Sequence, residues 1–415
     1  MALPALLVAA AVATFAVDAA TEGFLVEDHR APIVDIEIDI PAGTWSPWVR
    51  GGHVEEAWAF QNEDPERALR KRADALAADV ELQMGSRSAL LSVRCLKADL
   101  GETLVLVKDI LANTDYDRDE LKRARRQVAI AWRANETDVS FQMDQAAARA
   151  LFAKDDPRRL AWEKPEPVST DVARLVAARD ALIRLPGRAI GFAGDLTLEE
   201  ARRAADGLLP PPVSAAPPRL LPELRPLNPA ASRKKEQSVG VRKLTQVYLS
   251  LWRDSLPWSD PRRPAFLVAD HVLGGHFYSR LYVALRHESG DSYGAETEER
   301  GDVVPGNYSA STFTHADNAD AIEAKLRSVL TRFHADGITD EERQGAIKYF
   351  LGHRAFSRQS ADQILARHMI ERRLGLPPGY LDDLNDRAAT TSLDDINAFI
   401  RDFYDPADWS MLRAE

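Results

Sequence analysis

The residues best suited to chemistry at first reading lie in GGHVEEAWAF (51–60). A metal-binding helix of the H-x-x-E-H type uses two histidines four residues apart, because that spacing turns both imidazoles to one face. The glutamate just before the second histidine can then act as general base toward metal-bound water. Here the pentapeptide is His53-Val54-Glu55-Glu56-Ala57. His53 and Glu56 fill the first-ligand and base positions, but Ala57 stands where the second histidine belongs, and a methyl group donates nothing to a metal. The first half of the chain has one other histidine, His29, in VEDHRAP ahead of a strand, where a turn or surface position is expected. The plain expectation is that His53 and Glu56 sit on a helix surface and that this chain holds no metal. A weak or partner-completed metal site is the alternative.

Gly-Gly-His recurs in LGGHFYSRLYVALRHESGDSYGAE (273–296), where the pentapeptide His276-Phe277-Tyr278-Ser279-Arg280 contains no carboxylate. His276 is expected to pack against a helix and His287 to be a solvated neighbour of Arg286. Arg286 and Tyr293 carry more chemical promise. A guanidinium offers a fixed fork of donors and a phenol a rigid hydroxyl, and both can stabilise a developing oxyanion. Taken alone, the two read as readily as a surface ion pair of Arg286 with Glu288 and a tyrosine capping a strand.

The elements that must position these residues fall into two halves. A chain of 415 residues exceeds a comfortable single core, so two domains of about 200 residues are expected. The stretch 209–238 is rich in Pro and Ala and ends in a basic run, as an extended linker would be. It separates an N-terminal domain (21–208) from a C-terminal one (239–415). Each half begins with a strand pattern, VDIEIDI (34–40) and QVYLSLW (246–252), with Val34, Ile36, Ile38 and Ile40 on one face of the first. Each reaches its GGH, and each later carries a long helical pattern with an acidic start, YDRDELKRARRQVAIAW (116–132) and ITDEERQGAIKYFLGHRAF (338–356). GRAIGFAGD (187–195) reads as a strand leading into the helix LTLEEARRAADGLL. The fold expected is α+β: two diverged copies of one domain, each a mostly antiparallel sheet packed with helices.

The composition, 45% hydrophobic and 28% charged, is that of an ordinary globular protein. A net charge of −11 argues against nucleic acid or an anionic membrane as the main partner. The single cysteine, Cys95, excludes an internal disulfide and a multi-cysteine zinc site, and its apolar surroundings predict a buried, inert thiol. Residues 1–20 are apolar up to Asp18, which suits an export segment or the first buried element of the fold. An exported, periplasmic location is the expectation, a cytoplasmic one the alternative. No other stretch has the length and apolarity for stable membrane insertion.

VEDHRAPIVDIEIDIPAGT, GGHVEEAWAFQ and LKRARRQVAIAWRANETD together resemble the first domain of the inverted-motif zinc peptidases, the family of pitrilysin, insulin-degrading enzyme and the mitochondrial processing peptidases. In that family the third zinc ligand is a glutamate some seventy-five residues past the motif. The resemblance sets Ala131 at that position, with Glu136 further on, at a solvated helix end. Two of three ligands are then alanine. The second half resembles the family's second-domain signature, L-G-G-x-x-S-R-L followed by L-R-E-x-x-G-x-x-Y, through Gly274, Gly275, Ser279, Arg280, Leu281, Leu285, Arg286, Gly290 and Tyr293. The closing segment, with LGLPPGYLDD and a final strand near Trp409, completes it. The resemblance implies that Arg286 and Tyr293 bind the backbone of an unfolded peptide near the scissile carbonyl, opposite a zinc. It further implies a non-catalytic subunit of a bacterial heterodimeric zinc peptidase, with the zinc in a homologous partner that has an intact H-x-x-E-H. A structural or peptide-binding protein of the same fold is the alternative, and a hydrolase using another metal set with His53 and Glu56 a third.

Overall fold

The computed structural model describes residues 12–46, 68–113, 116, 118–165, 167, 169–212, 224, 226–229, 232–241, 244–287, 290, 292–301 and 304–415. In chain order, strands β1 (Ala13–Asp18), β2 (Thr21–Glu27) and β3 (Ile33–Ile40) precede helix α1 (Ala68–Ala75) and strands β4 (Asp79–Met84) and β5 (Ala89–Leu96). Helices α2 (Leu100–Ala112), α3 (Arg118–Asn135), α4 (Val139–Leu151) and α5 (Val172–Ile183) follow, then β6 (Arg188–Gly194) and α6 (Leu198–Ala205). Next come β7 (Glu236–Val239), β8 (Val247–Asp254), α7 (Arg263–Leu273), β9 (Ser292–Arg300) and β10 (Asn307–Thr314). The chain closes with α8 (Ala319–Asp336), α9 (Asp340–Phe356), α10 (Ala361–Arg373), α11 (Tyr380–Thr390), α12 (Leu393–Phe403) and β11 (Ser410–Ala414).

These elements make two compact units, and each takes a segment from the other half of the sequence. The first comprises Met1–Ala131, Pro165–Glu223 and Ser357–Arg373, the second Trp132–Lys164, Leu224–Phe356 and Leu374–Glu415. The first sheet has the order β1-β2-β6-β3-β5-β4, the second β7-β11-β8-β10-β9. In each, the opening strand runs parallel to the closing one (β2 with β6, β7 with β11) and the remaining pairs are antiparallel. Setting β2, β3, β4, β5 and β6 against β7, β8, β9, β10 and β11 reproduces one order strand for strand. The fold is α+β with two homologous domains; β1 is an extra edge strand of the first.

Alternation makes the first core. Val34, Ile36, Ile38 and Ile40 are at most 1% exposed and pack with Leu106, Val107 and Ile110 of α2 and Leu175 and Leu182 of α5. Each such aliphatic side chain contributes about 1.5–3 kcal/mol when fully buried. Cys95 on β5 belongs to the same core, and burial raises its thiol pKa. Helix α6 starts with a capping box, Thr197 Oγ1 accepting from Glu200 N while the Glu200 carboxylate accepts from Thr197 N. His29 lies exposed in the β2–β3 turn, hydrogen-bonded to Asp195 and Glu27.

In the second unit Val247, Leu249 and Leu251 point to a core built with α7, α8 and α12. The other face of that sheet is covered by α4, whose Met143, Ala147 and Leu151 pack on Val239, Trp252 and Leu412. The first sheet is covered similarly by α10: Leu365 and Met369 pack on Phe24, Val26, Ala189 and Ala193. Gly191 of β6 makes room for this helix, since a Cβ there would lie 2.7 Å from Leu365. Among the described residues no helix is long and apolar enough to cross a membrane.

Candidate functional site

His53, Glu56 and Ala57 lie outside the described residues. Ala131 does not: it is on α3 with its methyl exposed, while Glu136 follows the helix and accepts a hydrogen bond from Trp132 Nε1 at 3.0 Å. Among the described residues no three His, Cys, Asp or Glu side chains come together as a set for a metal ion. By the resemblance, Ala57 and Ala131 stand at two of the three zinc-ligand positions, and a methyl group does not fit a zinc ion.

The described residues of the second motif lead from helix α7 toward Arg286 and Tyr293. Helix α7 opens with Pro264 in its first turn and ends at Gly274, whose N–H bonds Asp270 O at 3.0 Å. Gly274 must be glycine for steric reasons: a Cβ would sit 2.6 Å from the backbone nitrogen of Thr297 on β9. At Gly275 it would meet the Cα of His271 at 2.8 Å. His276 follows in the turn, edge-on to the buried His271 with centroids 4.2 Å apart. Burial, with His276 adding to it, holds the His271 pKa down at about 4.

Ser279 caps the next short turn by accepting from Tyr282 N, and Arg280 makes a two-pronged ion pair with Glu342 at 2.7 and 2.8 Å. Leu281 and Leu285 are fully buried. Gly290, at φ +71°, occupies a backbone conformation that a side chain disfavours, in the turn before β9. Most of the motif therefore positions its ends. Those ends, Arg286 and Tyr293, are exposed, and the Arg286 guanidinium donates to the Tyr293 carbonyl. It also lies over the Tyr282 ring, 5.8 Å from the centroid. His287 is exposed beside Tyr282.

The structure adds partners that no motif signalled. The Tyr293 hydroxyl is 2.8 Å from His315 Nε2, which fixes its direction. The Tyr293 ring stacks on Phe313 of β10 (5.7 Å, 11°), and Phe313 stacks in turn on Tyr248 of β8 (5.2 Å, 16°). The row crosses three strands on the sheet face away from the α7 core and borders a cleft of about 520 Å³. Asp144 of α4 and Glu298 both pair with Arg300 at the other side, and burial raises the Asp144 pKa to about 6 despite that cation. Asp144 is more than a hundred residues from β9 in sequence, and nothing in its own segment announces the contact. Tyr248 and Phe313 had a signal, the alternation in VYLSLW and YSASTF, but its polar face reads simply as solvated.

Residues 188–350 match the family model described as the peptidase M16 inactive domain. An uncharacterized zinc protease of Streptomyces coelicolor is 25% identical over 186 residues, which is 44% of this chain and 40% of that protein; the chain spans only that two-fifths of this relative. The non-peptidase homolog YmxG of Helicobacter pylori is 20% identical over 335 residues, 78% of this chain and 74% of that one. A crystal structure of a peptidase M16 inactive domain from Pseudomonas fluorescens superposes with a TM-score of 0.82 at 17% identity, covering 97% of each chain. The chain is an M16-like protein that carries the family's inactive domain. The inactive-domain match and the likeness to a non-peptidase homolog support a non-catalytic M16-like protein.

Proposed function

We propose that this chain is the non-catalytic subunit of a heterodimeric zinc metallopeptidase. It contributes Arg286, Tyr293 and one wall of a chamber, while a homologous partner with an intact H-x-x-E-H supplies the zinc that activates water. The observation that carries the reading is the ordered Arg286–Tyr293–His315 group. An exposed guanidinium is tied to the backbone of the tyrosine, and the tyrosine, its hydroxyl oriented by a histidine, borders a cleft. Toward an unfolded peptide these side chains bind and orient the backbone carbonyl, and they lend hydrogen bonds as charge grows on its oxygen. The same reading keeps an exported, periplasmic location, which cell fractionation checks.

The test is to assay this chain, the homologous intact-motif chain from the same source, and their mixture on unfolded peptides. The mixture should cleave and each chain alone should be nearly inert. Arg286→Ala and Tyr293→Phe should each slow the mixture by at least about tenfold, with thermal melting unchanged. Zinc-dependent cleavage by this chain alone would sink the proposal, and unaltered rates in both variants would remove the substrate contact.

The name of the Helicobacter pylori relative, a non-peptidase homolog, favours a second reading: a structural or peptide-binding protein with no peptidase partner. Peptide binding without cleavage in any mixture selects it.

A further inference from the structure

The cleft of the second unit joins three kinds of surface. Its floor is hydroxyl, from Ser250, Ser309 and Ser311. One side is the ring row of Tyr248, Phe313 and Tyr293. The third is acidic: among its Asp, Glu, Lys and Arg side chains, Asp144, Glu296 and Glu298 face one cation, Arg300. Asp144 and Glu298 both bind Arg300, whose guanidinium also lies over Trp162, so that cation is doubly neutralised. Glu296 is left exposed with no cationic partner among the described residues. It pairs across β10 with Ser311, two residues from Phe313.

The free edge of β9 does not offer itself as the attachment point for an added strand. Thr297 N already donates to Gly274 O, so the glycine turn covers the edge there. At that point the surface left to a ligand is the sheet face, where side chains meet side chains.

We propose that this cleft binds extended peptides through a lysine or arginine side chain, the cationic head at Glu296 and the stem along the Tyr293 and Phe313 rings. The proposal rests on reading this face as a substrate-binding wall, and it names the substrate class. A carboxylate without a cation attracts an ammonium or guanidinium, aromatic faces accept both the cation and its methylene stem, and serine hydroxyls pair with peptide amides. An acidic side chain in the same place would meet Glu296 unpaired, which supplies discrimination by repulsion.

The test uses the full chain and fluorescein-labelled ten-residue unstructured peptides that differ at one central position, Lys, Gln or Glu. Anisotropy should show the Lys peptide binding about three- to tenfold tighter than the Gln peptide, the range for a partly exposed ion pair. The Glu peptide should be weakest, and the spread should shrink in high salt. Glu296→Gln should abolish the Lys-over-Gln preference and leave the affinity for the Gln peptide unchanged, which also reports that the variant is folded. Glu298→Gln, whose carboxylate is engaged by Arg300, should change the preference less. A preference that survives Glu296→Gln, or equal binding of all three peptides, overturns the inference and leaves the binding wall standing. Failure of every peptide to bind overturns both. N-acetyl-lysine amide competing as tightly as the peptide would show a small-cation site in place of a peptide one.

Discussion

Replacing Glu37 by glutamine should stabilise the first unit at pH 8 and flatten its pH dependence. Strand β3 gives its isoleucine face to the core and turns Asp35, Glu37 and Asp39 toward α10. Asp35 is held by Arg94 at 2.6 Å, which also binds Asp362 of α10 at 2.9 Å. Asp39 is 1% exposed, with Arg373 at 3.7 Å. Glu37 lies between them, and its Oε2 is buried without a hydrogen-bond partner. Burial raises its pKa from 4.5 to about 7; the attraction of Arg373 offsets part of this, while Asp39, Asp35 and Asp362 add repulsion. A carboxyl that binds its proton more tightly when folded favours the folded state below the unfolded pKa, and that contribution is lost as pH rises through the folded one. The window is therefore about 4.5 to 7, and the full cost above it is about 3 kcal/mol. Glutamine removes the charge but still buries an amide, so the gain expected at pH 8 is about 1–3 kcal/mol. Urea unfolding at pH 5 and pH 8.5 measures it, with hydrogen exchange of the Ile33–Ile40 segment as a readout confined to the first unit. A variant no more stable than the parent at pH 8.5, or one that keeps the same fall between the two pH values, refutes the reasoning.

Three further outcomes are expected. Arg188→Met should lower stability by about 3–5 kcal/mol in urea titrations, because the fully buried guanidinium donates to Ile183 O, Pro210 O, Thr21 Oγ1 and Asp18 Oδ2 at 2.7–3.1 Å and methionine leaves them unpaired. Gly274→Ala should cost about 1–3 kcal/mol and loosen β9 in hydrogen exchange, since its Cβ meets the backbone of Thr297. Removing metal with a chelator should leave the melting temperature of the isolated chain unchanged; a drop on chelation, restored by stoichiometric zinc, would revive a site at His53 and Glu56.

Periodicity made much of this fold readable. VDIEIDI announces its buried face residue by residue, and the segments at 116–132 and 338–356 run into α3 and α9 within a few residues. Arg286 and Tyr293 were legible as neighbours because a long signature surrounds them. Their partners were not. His315 is 22 residues from the tyrosine it orients, brought there by the β9–β10 hairpin, and Asp144 reaches Arg300 from a helix of the other half of the sequence. Contacts of that kind follow from which unit a segment joins, and α4 and α10 each join the unit of the opposite half, which no local pattern encodes. The opening apolar run was open between an export segment and a first element; Ala13–Asp18 forms the outer strand of the first sheet.

The duplicated topology also bears on why two identical tripeptides need not share a role. Both sheets follow one strand order and both receive a covering helix, yet the covered faces differ in kind. Under α10 the first sheet buries a row of acids, Asp35, Glu37 and Asp39, at a cost in stability. On the second sheet α4 packs its apolar residues on Val239, Trp252 and Leu412, and the face over β8, β10 and β9 stays open as the cleft. In that setting the glycines of the second Gly-Gly-His are accounted for by steric room alone, one against Thr297 and one against His271, and His276 by its contact with His271. A tripeptide whose every residue has a packing reason carries no implication of a metal. What the turn does accomplish is to set Arg286 beside Tyr293, the guanidinium on the tyrosine carbonyl, with the Tyr293 ring at the cleft.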